Sequence, residues 1–164
     1  MARLLRITII VLSVIILLTA CCKDKEKYVK SLNKKQQALS ELLNYIETNY
    51  SDILNKRVHR ERVVFVDCDK AGNISDDYLC ECEDVLKKMK DIDISEVRFE
   101  KVKVNCETNK VFTEVYFQEH KIFYYPVVYY LYEYCESGTP LETNTIYYKP
   151  VNEHWSAYID SNFP

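Results

Sequence analysis

Seven cysteines and three histidines are the residues of this chain whose types could carry redox, nucleophilic or metal chemistry. Cys80 and Cys82 lie two apart. On the helix expected there they point to different sides, so they can neither bridge each other nor chelate as a Cys-x-x-Cys pair does. Cys68 leaves a predicted strand just ahead of that helix, within reach of one of the two. Cys106 and Cys135 fall at strand ends and form a second candidate pair. The candidate disulfide residues are therefore Cys68, Cys80, Cys106 and Cys135, in a connectivity that spacing alone leaves open. Free buried thiols, which pack as small hydrophobes, are the alternative. His59, His120 and His154 occupy polar or turn segments with no ligand spacing among them, and His59 stands among Arg57, Arg60 and Arg62, a setting that disfavours a bound cation. The chain contains no Gly-x-Ser-x-Gly elbow, no His-Glu-x-x-His pair and no phosphate loop. The expectation is a protein that is not an enzyme, with no catalytic residue, no metal ligand and no cofactor.

One further stretch points to metal chemistry. Asp67-Cys68-Asp69-Lys70-Ala71-Gly72-Asn73-Ile74-Ser75 resembles the opening of an EF-hand calcium loop, with acids at positions one and three, glycine at six and serine at nine. Such a loop also needs an oxygen ligand at position five and a bidentate carboxylate at twelve. Ala71 and Tyr78 stand there instead. A strand, a turn and a helix capped by Ser75 account for the same residues without a metal.

The 14 tyrosines are the compositional oddity. Most lie in the C-terminal half, densest in Phe123-Tyr124-Tyr125-Pro126-Val127-Val128-Tyr129-Tyr130-Leu131-Tyr132-Glu133-Tyr134. On a strand, Tyr130, Tyr132 and Tyr134 share one face, while Tyr125, Tyr129 and Leu131 share the other. Tyrosine combines a large rigid contact area with a polar tip, which suits binding surfaces. Tyr130, Tyr132, Tyr134 and Trp155 are the candidate ligand-binding residues. The competing reading makes one of these faces core beneath the helices and the other a solvated face.

The N-terminus carries an address. Arg3 and Arg6 precede an apolar run from Ile7 to Leu18, followed by Leu18-Thr19-Ala20-Cys21. A basic end, a short greasy core and small residues before a cut are the parts of a secretory signal. This run of 12 residues, apolar except for Thr8 and Ser13, falls short of the roughly 20 that span a bilayer as a helix. The segment resembles the lipobox of bacterial lipoproteins processed by signal peptidase II. That resemblance implies removal of residues 1–20 and a diacylglycerol on Cys21, which becomes the first residue of the mature chain. Two or more acyl chains hold a protein firmly to a membrane where one holds it weakly. Cys22 follows where an aspartate would signal inner-membrane retention, so the resemblance points to the outer membrane, on its periplasmic or surface face. Residues 21–27 then form a charged, lipidated tether, and 28–164 a single globular domain.

Residues 1–20 hold two arginines and no acid, which leaves 20 basic against 25 acidic side chains, a formal charge of −5. Such a balance lacks the basic stripe of a nucleic-acid binder. With 144 residues the mature chain suits one core. Its elements are read from periodicity. Tyr28, Leu32, Leu39, Leu43, Ile46, Tyr50 and Ile53 describe one face of a long helix to about Lys56. Arg62–Asp67 reads as a strand and Asp76–Lys90 as a second helix. Val97–Val104, with a bulge near Glu100 and Lys101, Lys110–Gln118, Tyr125–Tyr134 and a hairpin within Thr145–Ile159 supply further strands. The fold class expected is α+β, with the long N-terminal helix and the second helix on one face of a curved antiparallel sheet of about four to six strands. Together these features point to a membrane-anchored envelope lipoprotein that binds a protein or small ligand. The alternatives are an inhibitor or immunity-type lipoprotein that neutralises a toxin or hydrolase, and an enzyme with an unrecognised site.

Overall fold

A computed structural model describes residues 2–69, 75–102, 108–119, 127–136 and 138–161, with side chains from residue 25 onward. The elements are helix α1 (Ala2–Asn49), helix α2 (Ser51–Lys56), strands β1 (Arg62–Val66) and β2 (Tyr78–Leu79), helix α3 (Glu83–Asp91), and strands β3 (Ile94–Glu100), β4 (Glu114–Glu119), β5 (Val127–Glu133), β6 (Leu141–Glu142), β7 (Ile146–Pro150) and β8 (Trp155–Asp160). One eight-stranded sheet runs in the order β2-β1-β3-β4-β5-β8-β7-β6.

The fold is α+β, but the expected antiparallel sheet of four to six strands is corrected to a mixed sheet of eight. The additional strands are β2 and β6, each two residues long, too short to display alternation in the sequence. The pair β1–β2 is parallel, with Val64 opposite Tyr78 and Phe65 opposite Leu79. That strand lies where the second helix was expected to begin. Ser75 closes a turn there, accepting the Tyr78 N–H on its carbonyl and the Asp77 N–H on its hydroxyl. The Val64 N–H is then bonded to the Asp77 carbonyl at 2.9 Å, so the chain pairs with β1 before α3 can start. The helix begins at Glu83, with Glu83 and Asp84 in the first turn and Lys88 and Lys90 in the last, matching its dipole at both ends. The irregularity in β3 falls between Ile94 and Glu96 rather than near Glu100. Beyond Glu100 the chain leaves the ladder, and Thr113 takes up Val102 through its side chain.

Helix α1 covers one face of the sheet. Leu32, Leu39, Leu42, Leu43 and Ile46 are buried against Val63 and Phe65 of β1, Val97 and Phe99 of β3, Val115 and Phe117 of β4, Val128 and Tyr130 of β5, and Trp155, Ala157 and Ile159 of β8. Val85 and Met89 of α3 complete this core. Burying each such side chain contributes about 1.5–3 kcal/mol. The edge-on rings of Phe65, Phe99 and Phe112 run through it, with neighbouring centroids 6.0 and 6.2 Å apart. The expected single helix to Lys56 breaks at Tyr50, whose backbone (φ −120°, ψ 14°) leaves the helical region before α2 resumes and buries Leu54. Asp93 joins α3 to β3 in the left-handed region (φ 61°), which aspartate tolerates better than most side chains.

Polar contacts fix α1 over the sheet. Lys25 pairs with Glu142 and sits above the Tyr147 ring; Lys35 reaches Glu119 at 3.0 Å. Tyr45 and Tyr50 both donate to Asp84 at the start of α3. These two hydrogen bonds, Tyr45 first, hold the Asp84 carboxyl below its ordinary value. A carboxyl lowered on folding contributes stability that is complete above its unfolded value, near pH 4, and is lost as pH falls through the folded value. Asp84→Asn should remove this dependence, so that denaturant midpoints of the parent, but not of the variant, carry this extra loss as the pH falls below about 4. Parallel pH profiles for the two proteins would contradict this role.

Candidate functional site

Strand alternation places the tyrosines, and the helices decide which face is core. Tyr130 is fully buried under α1; its hydroxyl donates to Glu119 at 2.8 Å and lies 2.9 Å from the Ser31 hydroxyl. Burial pushes its phenol upward. Trp155, 3% exposed, packs against Phe117 and Tyr132. Tyr132 is half-buried between Tyr134, His154 and Trp155. The four residues nominated for ligand binding are thus brought together, but on the helix-covered face. Tyr130 and Trp155 have no surface to offer a ligand.

The opposite face of the sheet carries its own aromatic cluster. Tyr116, Tyr129 and Tyr158 meet edge to edge or tilted, with centroids 5.9 to 6.4 Å apart. The Arg98 guanidinium lies 4.8 Å from the Tyr116 ring centroid and 5.2 Å from that of Tyr129, between Glu96 and Glu100. Tyr129 is only 9% exposed and Leu131 beside it is buried, so this face is closed by its own side chains. Tyr125 lies outside the described residues. Across the same face Glu100 is directly opposite Glu114, and Glu114 is directly opposite Glu133. Each is partnered: Glu100 by Arg98, Glu114 by the Tyr116 hydroxyl, Glu133 by the Tyr148 and Ser156 hydroxyls. Tyr148 is raised to about 12, mainly by burial.

Of the nominated aromatics, Tyr134, just past the end of β5, borders a cleft of about 230 Å³. The floor is apolar, from Leu54 of α2, Phe99 of β3 and Phe112, with Val111 at the wall. The rim is polar: Glu47 from the last turn of α1, Ser51 and Asn55 from α2, and Asn109 and Lys110 ahead of β4. The cleft lies just past the break at Tyr50, lined by Glu47 on one side of it and by Ser51, Leu54 and Asn55 on the other. Glu47 is held from two sides. The Tyr134 hydroxyl donates to it at 2.6 Å, and Lys110 pairs with it while its ammonium stands 5.0 Å above the Tyr134 ring. Burial, and then the hydrogen bond to Glu47, push the Tyr134 phenol well above its usual value. At neutral pH this tyrosine is a neutral donor. Ser51, Asn55 and Asn109 leave hydroxyl and amide groups at the rim, above aromatic rings.

The cysteines divide. Cys68 and Cys80 form a disulfide with Cα atoms 5.4 Å apart, tying the end of β1 to the end of β2. Cys135 is disulfide-bonded; Cys106, its candidate partner, lies outside the described residues. Cys82 is a buried free thiol, raised above its ordinary value chiefly by burial. His59 is exposed, the His154 Nδ1 lies 2.9 Å from the Glu133 carbonyl, and His120 lies outside the described residues. So does much of the calcium-like loop, whose Cys68 is committed to its disulfide. Among the described residues no three His, Cys, Asp or Glu side chains are grouped to hold a metal ion, and no helix is long and apolar enough to cross a membrane. The side chain of Cys21 also falls outside the described residues.

No protein-family model matches this chain, and neither curated proteins nor solved structures show significant similarity to it.

The row of glutamates makes a checkable demand. Burial first, then the charges of Glu133 and Glu100, raise the Glu114 carboxyl. An acid raised on folding costs stability once it must ionise, a penalty present at neutral pH and absent below about pH 4. Glu114→Gln keeps the Tyr116 hydrogen bond and should stabilise the protein by about 0.5 kcal/mol at pH 7. In guanidinium denaturation the gain should vanish near pH 3.5; a loss at pH 7 would refute the assignment.

Proposed function

We propose that this chain is a bacterial envelope lipoprotein, anchored by lipid on Cys21, whose domain binds a protein partner in the cleft between α1, α2 and the approach to β4. The leader of Arg3, Arg6 and the apolar run, ending in Leu18-Thr19-Ala20-Cys21, supports the anchor. Cys22 in place of an aspartate favours the outer membrane.

One observation carries the binding half: the size and lining of the cleft. Small-molecule sites usually enclose about 300–1,000 Å³, and this cleft, at about 230 Å³, falls below that range. It fits a single large side chain of a partner, set against Val111, which is 38% exposed, over a floor closed by Leu54, Phe99 and Phe112, and met at the rim by Asn55, Asn109 and Ser51. Interfaces draw most of their energy from such anchors, shielded by a polar surround. The reading is one of binding rather than turnover. The two charges of the site, Glu47 and Lys110, neutralise each other across the Tyr134 ring, and they hold the rim in place instead of facing a reacting group.

The test uses the full chain in intact cells. A photo-cross-linking residue at Asn109 should yield a discrete adduct with an envelope protein. Ser51→Trp, which fills the cleft, should cut that adduct at least tenfold at unchanged expression. A cross-linker at exposed Glu153 should give none. An Asn109 adduct indifferent to Ser51→Trp would contradict the cleft as the binding site, and Cys21→Ala protein that stays with the membranes would contradict the anchor.

A further inference from the structure

We infer that the domain lies directly against the bilayer that anchors it, with the β6–β7 edge and the first turns of the packed part of α1 turned to the lipid headgroups. The inference rests on the lipid-anchor reading above and adds the surface through which the domain meets the membrane.

Spacing is the first observation. Lys25 stands four residues after Cys21 and is already held by the domain, paired with Glu142 of β6 and 5.3 Å above the ring of Tyr147 on β7. Tyr28 and Val29 pack on the core immediately afterwards. The backbone of α1 is helical throughout this stretch. Four residues cover about 6 Å as helix and at most about 14 Å fully extended. A diacylglycerol on Cys21 therefore leaves no room for a loose tether, and the edge that receives Lys25 must sit at headgroup depth.

The surface at that edge suits the place. Leu141, next to Glu142, is 51% exposed, more than any other large apolar side chain among the described residues. Lys27 and Lys30 are exposed on α1, three residues apart and so on one side of the helix, with exposed Glu26 beside them. Both features suit a bilayer surface, where an exposed apolar side chain enters the interfacial region and ammonium groups meet anionic lipid. The cleft stands at the far end of the packed helix. Glu47, on its rim, is 22 residues beyond Lys25, about 33 Å along a helix, which leaves the proposed partner site pointing away from the membrane.

The experiment reads depth in the lipidated protein. The full chain is produced with its own leader and reconstituted into vesicles of phosphatidylethanolamine and phosphatidylglycerol that carry acyl chains brominated near the headgroup. Mass spectrometry of the N-terminal peptide first establishes the lipid on Cys21. Leu141→Trp should then be quenched at least twofold more than Val111→Trp at the cleft, each corrected for the buried Trp155 common to both. In the unsubstituted protein, Lys27 and Lys30 should be acetylated at least threefold more slowly in vesicles than in detergent, while Lys56 is unchanged. Equal quenching at the two positions, or equal acetylation of Lys27 and Lys30 in vesicles and detergent, with the lipid present, would overturn the orientation alone. An unmodified Cys21 would overturn the anchor reading and the orientation with it.

Discussion

The apolar stripe of α1 is the constraint on which the rest of the molecule depends. A mixed sheet of eight strands has two faces to satisfy. One is closed chiefly by α1, which lays Leu32, Leu39, Leu43 and Ile46 over the inward residues of five strands, with Val85 and Met89 of α3 beside it. The sheet's own contacts are antiparallel, sequential except for β1–β3 and β5–β8, with one short parallel pair at its edge. Without the helix, Phe65, Phe99, Phe117, Tyr130 and Trp155 would lie open to water, a loss on the order of 10 kcal/mol by area, comparable to the whole stability of a domain this size. The helix is also where the polar work converges: Lys25, Ser31, Lys35, Tyr45 and Glu47 each contact a different part of the fold.

That dependence bears on the positions of both proposed surfaces. The cleft lies where α1 gives way to α2, lined by residues from both helices, from β3 and from the approach to β4. The proposed membrane surface lies at the other end of the packed helix, where Lys25 meets the β6–β7 edge four residues after Cys21. One helix then sets the distance between the proposed anchor and the proposed binding site.

Much of this was legible in the sequence. Leu32, Leu39, Leu43 and Ile46 recur at helical spacing, and they are the residues α1 buries. Strands β1, β3, β4, β5, β7 and β8 each carry a run long enough to show alternation. What escaped was short or conditional on distant partners. β2 and β6 have two residues each and no pattern. Asp76 to Lys90 reads as one helix locally, but Tyr78 and Leu79 were captured by β1, whose position along the chain gives no warning. The tyrosines show a sharper limit. Alternation groups Tyr130 with Tyr132 and Tyr134, yet only the packing of α1 reveals that this group is the inner one. The cleft was invisible except through Tyr134, since Glu47, Asn55, Phe99 and Lys110 come from four separate segments with no shared motif.

Native-state hydrogen exchange tests the role of α1 most directly. If the helix and the sheet form one cooperative unit, the amides of Leu32, Leu39, Leu43 and Ile46 open with the same free energy as those of Val97, Phe117 and Tyr130, near the global value. Helix amides that exchange several kcal/mol more easily than the sheet would show that the sheet stands without its cover, and would contradict the dependence described above.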